Sequence, residues 1–135
     1  MIDRVAGASP DRVVDKVKAK LSLLKERDID HSISLIFGLP HQGLACFQED
    51  VAWCEQNTRA RLEAFPLMLL RGTPLHTRKH ELGLVEATQH EVEHPLIDRI
   101  QAFIPHVVET PSMSRSDWHA MASIASNLRK LHVPL

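Results

Sequence analysis

The stretch Ser32-Ile33-Ser34-Leu35-Ile36-Phe37-Gly38-Leu39-Pro40 decides how this chain folds. It is a short apolar run that stops abruptly at Gly-Leu-Pro. Leu35, Ile36 and Phe37 are consecutive apolar residues, a pattern that suits a strand buried on both faces in a parallel sheet. The loop at its C-terminal end is where α/β proteins place their ligands. A second strand–loop junction follows: Ala64-Phe65-Pro66-Leu67-Met68-Leu69-Leu70, then Arg71-Gly72-Thr73-Pro74.

The segments around the two junctions have helical patterning. Upstream, Val13, Val14, Val17, Leu21 and Leu24 recur at spacings of three and four, predicting an amphipathic helix over 10–27. Ser9 reads as its N-cap and Pro10 as its first residue. Asp28-Ile29-Asp30 is a turn. Between the junctions, Leu44, Phe47, Val51 and Cys54 share one stripe, predicting a helix over 43–57 closed by Asn57-Thr58. The second strand is expected over 62–70. Two strands joined by such a helix form a right-handed βαβ unit. The strand ends at Gly38 and Arg71 then lie side by side on one rim. The fold class is therefore α/β, with a parallel βαβ core followed by C-terminal helices.

Downstream, Pro74 to Leu82 reads as a short helix, with Thr73 as its cap and Gly83 at C′. Residues 84–94 are ambiguous. Leu96, Ile97, Ile100, Phe103 and Ile104 have helical spacing behind Pro95. His106 to Thr110 reads as a short strand, and Pro111-Ser112-Met113 as a turn. Ser114 and Asp117 form a capping-box pattern opening a last helix, whose buried stripe is Trp118, Met121, Ile124, Ala125, Leu128 and Leu131. Val133-Pro134-Leu135 ends the chain. Residues 1–9 read as a flexible N-terminus, and 10–135 as a single domain.

Composition narrows the function classes. The chain has 135 residues, 44% of them hydrophobic, enough for one domain with a core. Sixteen basic and seventeen acidic side chains nearly cancel, without long blocks of like charge. That excludes a nucleic-acid stripe or a polybasic membrane patch. Low aromatic content argues against a stacking platform for single strands. No apolar run is long enough to span a bilayer, and Met1-Ile2-Asp3-Arg4 carries no signal-peptide core. The expectation is a soluble, cytoplasmic protein. Nine histidines make its charge sensitive to pH between roughly 5 and 8. The two cysteines, Cys46 and Cys54, would stand ~12 Å apart along a helix, too far to bridge. They read as buried free thiols of a reducing compartment.

Ile33-Ser34-Leu35-Ile36-Phe37-Gly38-Leu39-Pro40-His41-Gln42 resembles the penultimate strand and loop of radical S-adenosylmethionine (radical SAM) enzymes, especially those often fused to a cobalamin-binding domain. Phe65-Pro66-Leu67-Met68-Leu69-Leu70-Arg71-Gly72-Thr73-Pro74-Leu75 resembles the junction that follows in the same group. The likeness extends through Glu81-Leu82-Gly83-Leu84, His106-Val107-Val108-Glu109 and Asp117-Trp118, covering most of residues 10–130.

The resemblance implies a partial (β/α) barrel whose strand ends hold S-adenosylmethionine and a [4Fe–4S] cluster. Ile36, Phe37, Gly38, Leu39 and Pro40 would line the adenine side of the cofactor pocket through backbone and apolar contacts. Arg71, Gly72 and Thr73 would form the substrate-side rim. The family binds its cluster through Cys-x-x-x-Cys-x-x-Cys, which this chain lacks. The resemblance places that loop upstream of residue 1, so the chain corresponds to the C-terminal half of such an enzyme. It is expected to hold no cofactor and to be inactive alone. Two positions depart from the family: His41 stands where Gly is usual, and Gly43 where Thr is usual.

Other readings compete. A half-barrel has open edges that invite pairing with a second copy or with a separate N-terminal half. That would make the chain a structural or oligomerising module. The histidines suggest a metal-binding protein instead. His90-Glu91-Val92-Glu93-His94 matches His-Glu-x-x-His, but Pro95 pushes His94 out of helical geometry. His76 and His80 read as a surface helix face, because Arg78 and Lys79 between them repel a cation. Arg71 can bind a carboxylate or phosphate with its fork, or pair within its own fold. No Gly-x-Ser-x-Gly elbow is present.

Overall fold

The computed structural model describes residues 10–88 and 104–128. The elements run α1 (Pro10–Glu26), β1 (Ser32–Phe37), α2 (Leu44–Asn57), β2 (Arg61–Pro66), α3 (Pro74–Thr77), β3 (Val85–Ala87), β4 (His106–Glu109) and α4 (Arg115–Ser126). Positions 96–103 of the expected helical segment and the His90–His94 motif lie outside the described residues. So do residues 1–9 with the cap Ser9, the last-helix position Leu131, and Val133 to Leu135. The last position of the expected helical segment, Ile104, sits in a bend.

β1 and β2 pair in parallel through α2, with Ser32 opposite Arg61 and Phe37 opposite Pro66. This is the anticipated βαβ unit in a mixed α/β fold. The two strands alternate strictly. Ile33, Leu35 and Phe37, with Leu62, Ala64 and Pro66, turn toward the helices, while Ser34, Ile36, Glu63 and Phe65 turn away. Burial of β1 on both faces is therefore not what forms. Ile36 remains 45% exposed and Phe65 37% exposed. The expectation failed because coverage of a strand face depends on remote elements, which three consecutive apolar residues do not report.

The covered face is held by an aromatic cluster. Phe37 of β1 packs against Phe47 of α2 at 5.6 Å between centroids, and against Trp118 of α4 at 5.9 Å. All three are essentially inaccessible to solvent. Burying each contributes roughly 1.5–3 kcal/mol, and each tilted ring pair about 0.5–1.5 kcal/mol more. Val51, Cys54, Leu62, Met121 and Ala125 extend this core. Cys46, by contrast, is exposed on α2. Eight residues along a 3.6-residue helix amount to 2.2 turns, so Cys46 and Cys54 point in different directions.

The second strand ends earlier than expected, at Pro66. Leu67 donates its N–H to the Phe37 carbonyl at 2.9 Å, while its own carbonyl accepts from Val107 N–H at 2.9 Å. Leu69 N–H then bonds to the Pro105 carbonyl at 2.8 Å. The chain thus leaves β1 and pairs with the approach to β4. β4 in turn pairs antiparallel with β3, a strand that falls in the ambiguous 84–94 region.

Local chemistry fixes the helix ends. Thr73 accepts from His76 N–H to start α3, which stops at Thr77 instead of reaching Leu82. The turns that follow close with Gly83 at φ +67, where an added Cβ would sit 2.8 Å from Pro111 Cγ. α4 opens with the complete reciprocal box: Asp117 N–H donates to Ser114 Oγ, and Ser114 N–H donates to Asp117 Oδ2, both at 3.0 Å. No helix among the described residues is long and apolar enough to cross a membrane.

Candidate functional site

The loop after β1 is built around Gln42. Gly38 takes φ +92, open to glycine at little cost, and an added Cβ would meet the Val107 carbonyl at 3.4 Å. The chain then turns through Leu39 and Pro40 to His41 at φ +66, and Gln42 folds back beneath the turn. Its Oε1 accepts from Gly38 N–H at 2.8 Å and from Leu39 N–H at 3.2 Å, and its Nε2 donates to the Ile36 carbonyl at 3.1 Å. Gln42 N–H also bonds to the Leu39 carbonyl at 3.1 Å. One buried amide side chain therefore satisfies three backbone groups of the strand end.

Gln42 is not among the residues that the resemblance marks as lining the pocket. Its signal is an amide, carrying both a donor and an acceptor, just behind a Gly-Leu-Pro turn. Gly43 caps α2 in extended geometry without a side-chain hydrogen bond.

The residues expected to line the first junction divide into two groups. Ile36 faces outward beside its register partner Phe65. The Phe37 side chain belongs to the core, and Gly38 is buried. Leu39 and Pro40 are half-buried. In the second junction Arg71 and Gly72 are exposed in a turn, and Thr73 is half-buried as the α3 cap. The residue beside Gly38 is Leu67, not Arg71, because β2 stops at Pro66 opposite Phe37, and Arg71 follows four positions after Leu67.

Arg71 instead lines a separate cleft of about 300 Å³ with Leu69, Leu70, His76, Lys79, Glu86, Ile104 and Pro105. Lys79 Nζ meets Glu86 Oε1 at 2.8 Å inside it. His80 lies beyond the end of α3, so His76 and His80 do not share one helix face.

A second cleft, about 400 Å³ and largely apolar, lies between α1, β1 and α2. Lys18 Nζ sits 5.3 Å from the Trp53 ring there. Burial, then the neighbouring Glu49, raises the Asp50 carboxyl above its ordinary value, while Lys18 pulls it back. Burial likewise raises the Cys46 thiol, helped by Asp50 and Glu49. A raised thiol pKa disfavours the reactive thiolate. Among the described residues no group of three or more His, Cys, Asp or Glu side chains is placed to hold a metal ion.

The chain matches no protein-family model, and no curated protein matches it.

Proposed function

We propose that this chain is the C-terminal portion of a radical S-adenosylmethionine-like enzyme, forming one wall of a nucleoside pocket and holding no iron–sulfur cluster alone. The first junction carries the reading. β1 ends in a glycine at positive φ, and the following turn takes φ +66 at His41, the position where the resembled family has glycine. Ile36 and Phe65 stand side by side on the uncovered sheet face, next to that loop. They offer an apolar surface for a purine ring. Helices α1, α2 and α4 lie across from it, as they would outside a barrel wall.

The residues present fit only part of an adenosyl group. Ile36 and Phe65 supply apolar contact, but the N–H groups of Gly38 and Leu39 and the Ile36 carbonyl are engaged by Gln42. The cluster does not fit: the chain has two cysteines, both on α2, and Cys54 is in the core. No radical step is derived for this chain.

Titration of the isotope-labelled chain with adenosine and with S-adenosylmethionine tests the reading. Shifts centred on the Ile36 methyls, the Phe65 ring and the Gly38 amide are expected, with a Kd of roughly millimolar for half a pocket. Absence of shifts there overturns it. So does a stoichiometric cluster after reconstitution of the chain with iron and sulfide.

A second reading is favoured by the same open face. Ile36, Phe65, Met68 and Leu70 are all more than a third exposed, and β1 pairs only with β2 among the described residues. A second copy, or a separate N-terminal half, would cover these groups and make the chain an oligomerising module. Sedimentation at micromolar concentration distinguishes the two: a clean monomer counts against self-association.

A further inference from the structure

We propose that the cleft of Arg71, His76, Lys79 and Glu86 binds a small carboxylate that carries a neighbouring hydroxyl or amino group. The cleft lies at the second junction, and no residue of the 38–43 loop lines it. Its rim is basic. Arg71 makes no ion pair among the described residues and presents a free guanidinium fork, the group best shaped to take a carboxylate with two parallel bonds. Lys79 is only 22% exposed and is held at 2.8 Å by Glu86 Oε1. That bond uses one of three ammonium protons, so an oriented cation still has donors to offer.

Glu86 supplies the second half of the argument. Its Oε2 is buried and has no hydrogen-bond partner. A buried carboxylate oxygen without a donor is costly, and because the last torsion of a glutamate side chain is soft, a turn of the carboxylate brings that oxygen to an incoming O–H or N–H. The cleft therefore combines a site for an anion with an unmet acceptor. Leu69, Leu70, Ile104 and Pro105 supply its apolar lining. Its volume of about 300 Å³ lies at the low end of small-molecule sites, roughly 300–1,000 Å³. A hydroxy- or amino-carboxylate meets all three conditions.

This inference goes beyond the proposed function and stands on the cleft's own residues. The test is a titration of the labelled full chain with acetate, glycolate, L-serine and inorganic phosphate, read at the Arg71 and Lys79 side chains, the His76 ring and the Gly72 and Thr73 amides. Glycolate and serine are expected to bind at roughly millimolar Kd and severalfold more tightly than acetate, which lacks the second group. Arg71→Gln should abolish the shifts while leaving the circular dichroism unchanged. Glu86→Gln should erase the preference over acetate. Equal binding of acetate and glycolate, retention of binding in Arg71→Gln, or tighter binding of phosphate each overturns the proposal. Absence of shifts with every probe also overturns it. Adenosine shifts at Ile36 and Gly38 report separately on the cofactor reading, so either idea can fail while the other stands.

Discussion

Gln42 Oε1 accepts a hydrogen bond from Gly38 N–H at 2.8 Å, tying the start of α2 to the end of β1. The same side chain serves Leu39 N–H and the Ile36 carbonyl. Gln42→Leu keeps the bulk but leaves the buried Gly38 N–H without a partner, at about 1–3 kcal/mol, and the part-buried Leu39 N–H and Ile36 carbonyl at less, because water reaches them. A loss of about 2–4 kcal/mol in urea unfolding is expected. A change below half a kcal/mol would mean that water or another group replaces the amide.

His41 is exposed and holds φ +66. A side chain in the left-handed region costs roughly 1–2 kcal/mol, partly offset by the greater freedom of glycine in the unfolded chain. His41→Gly should therefore stabilise the protein by about 0.5–1 kcal/mol, seen as a raised Tm. Destabilisation would show that the imidazole makes a contact that outweighs its strain.

Phe37 and Ile36 are adjacent in β1 and lie on opposite faces. Phe37→Ala removes a ring from the centre of the core and should cost about 3–5 kcal/mol. Ile36→Ala should cost less than about 1 kcal/mol, because its side chain is half exposed already. Chemical denaturation of both variants compares them directly. Equal losses would mean that something covers the outer face in solution.

Ser114→Ala dismantles the capping box of α4 and should cost about 1 kcal/mol, with Ser114→Thr close to neutral. Thermal unfolding of the pair checks this. The effect is kept modest because Trp118, Met121 and Ala125 still bury the helix.

Asp50 carries a carboxyl pKa raised by burial and by Glu49. The folded state therefore binds a proton more readily than the unfolded chain does. Its favourable contribution is fully present below the unfolded value of ~3.9 and is lost as pH rises through the higher folded value. Asp50→Asn should increase stability at neutral pH, and the gain should shrink as the pH falls through that window. Unfolding midpoints measured across that pH range read the sign; an Asn variant less stable at pH 7 would refute it.

The parts of the fold legible from sequence were those set by neighbours along the chain. β1 spans the apolar run ending at Phe37, α2 follows the Phe47–Val51–Cys54 stripe, and Ser114 with Asp117 starts α4. What escaped depends on partners far away in sequence. The run from Phe65 to Leu70 is uniformly apolar, so nothing in it marks where hydrogen bonding passes from β1 to β4. β3 is three residues long, too short for any period to register. Exposure of Ile36 and Phe65 follows from which elements lie over the sheet. At the site, Gly38 was recognisable from its residue type, whereas Gln42 and the Lys79–Glu86 pair acquire meaning only in three dimensions.

Leu67 is bonded on both sides, to Phe37 through its amide and to Val107 through its carbonyl. Leu67 is therefore the residue at which the parallel pair and the antiparallel pair meet, with the Leu69–Pro105 bond beside it. Neither can come apart at that seam without exposing a buried backbone group. The described portions, 10–88 and 104–128, should consequently melt in one cooperative transition. The Leu67 amide should be among the last to exchange its proton for deuterium, reporting global unfolding rather than local opening.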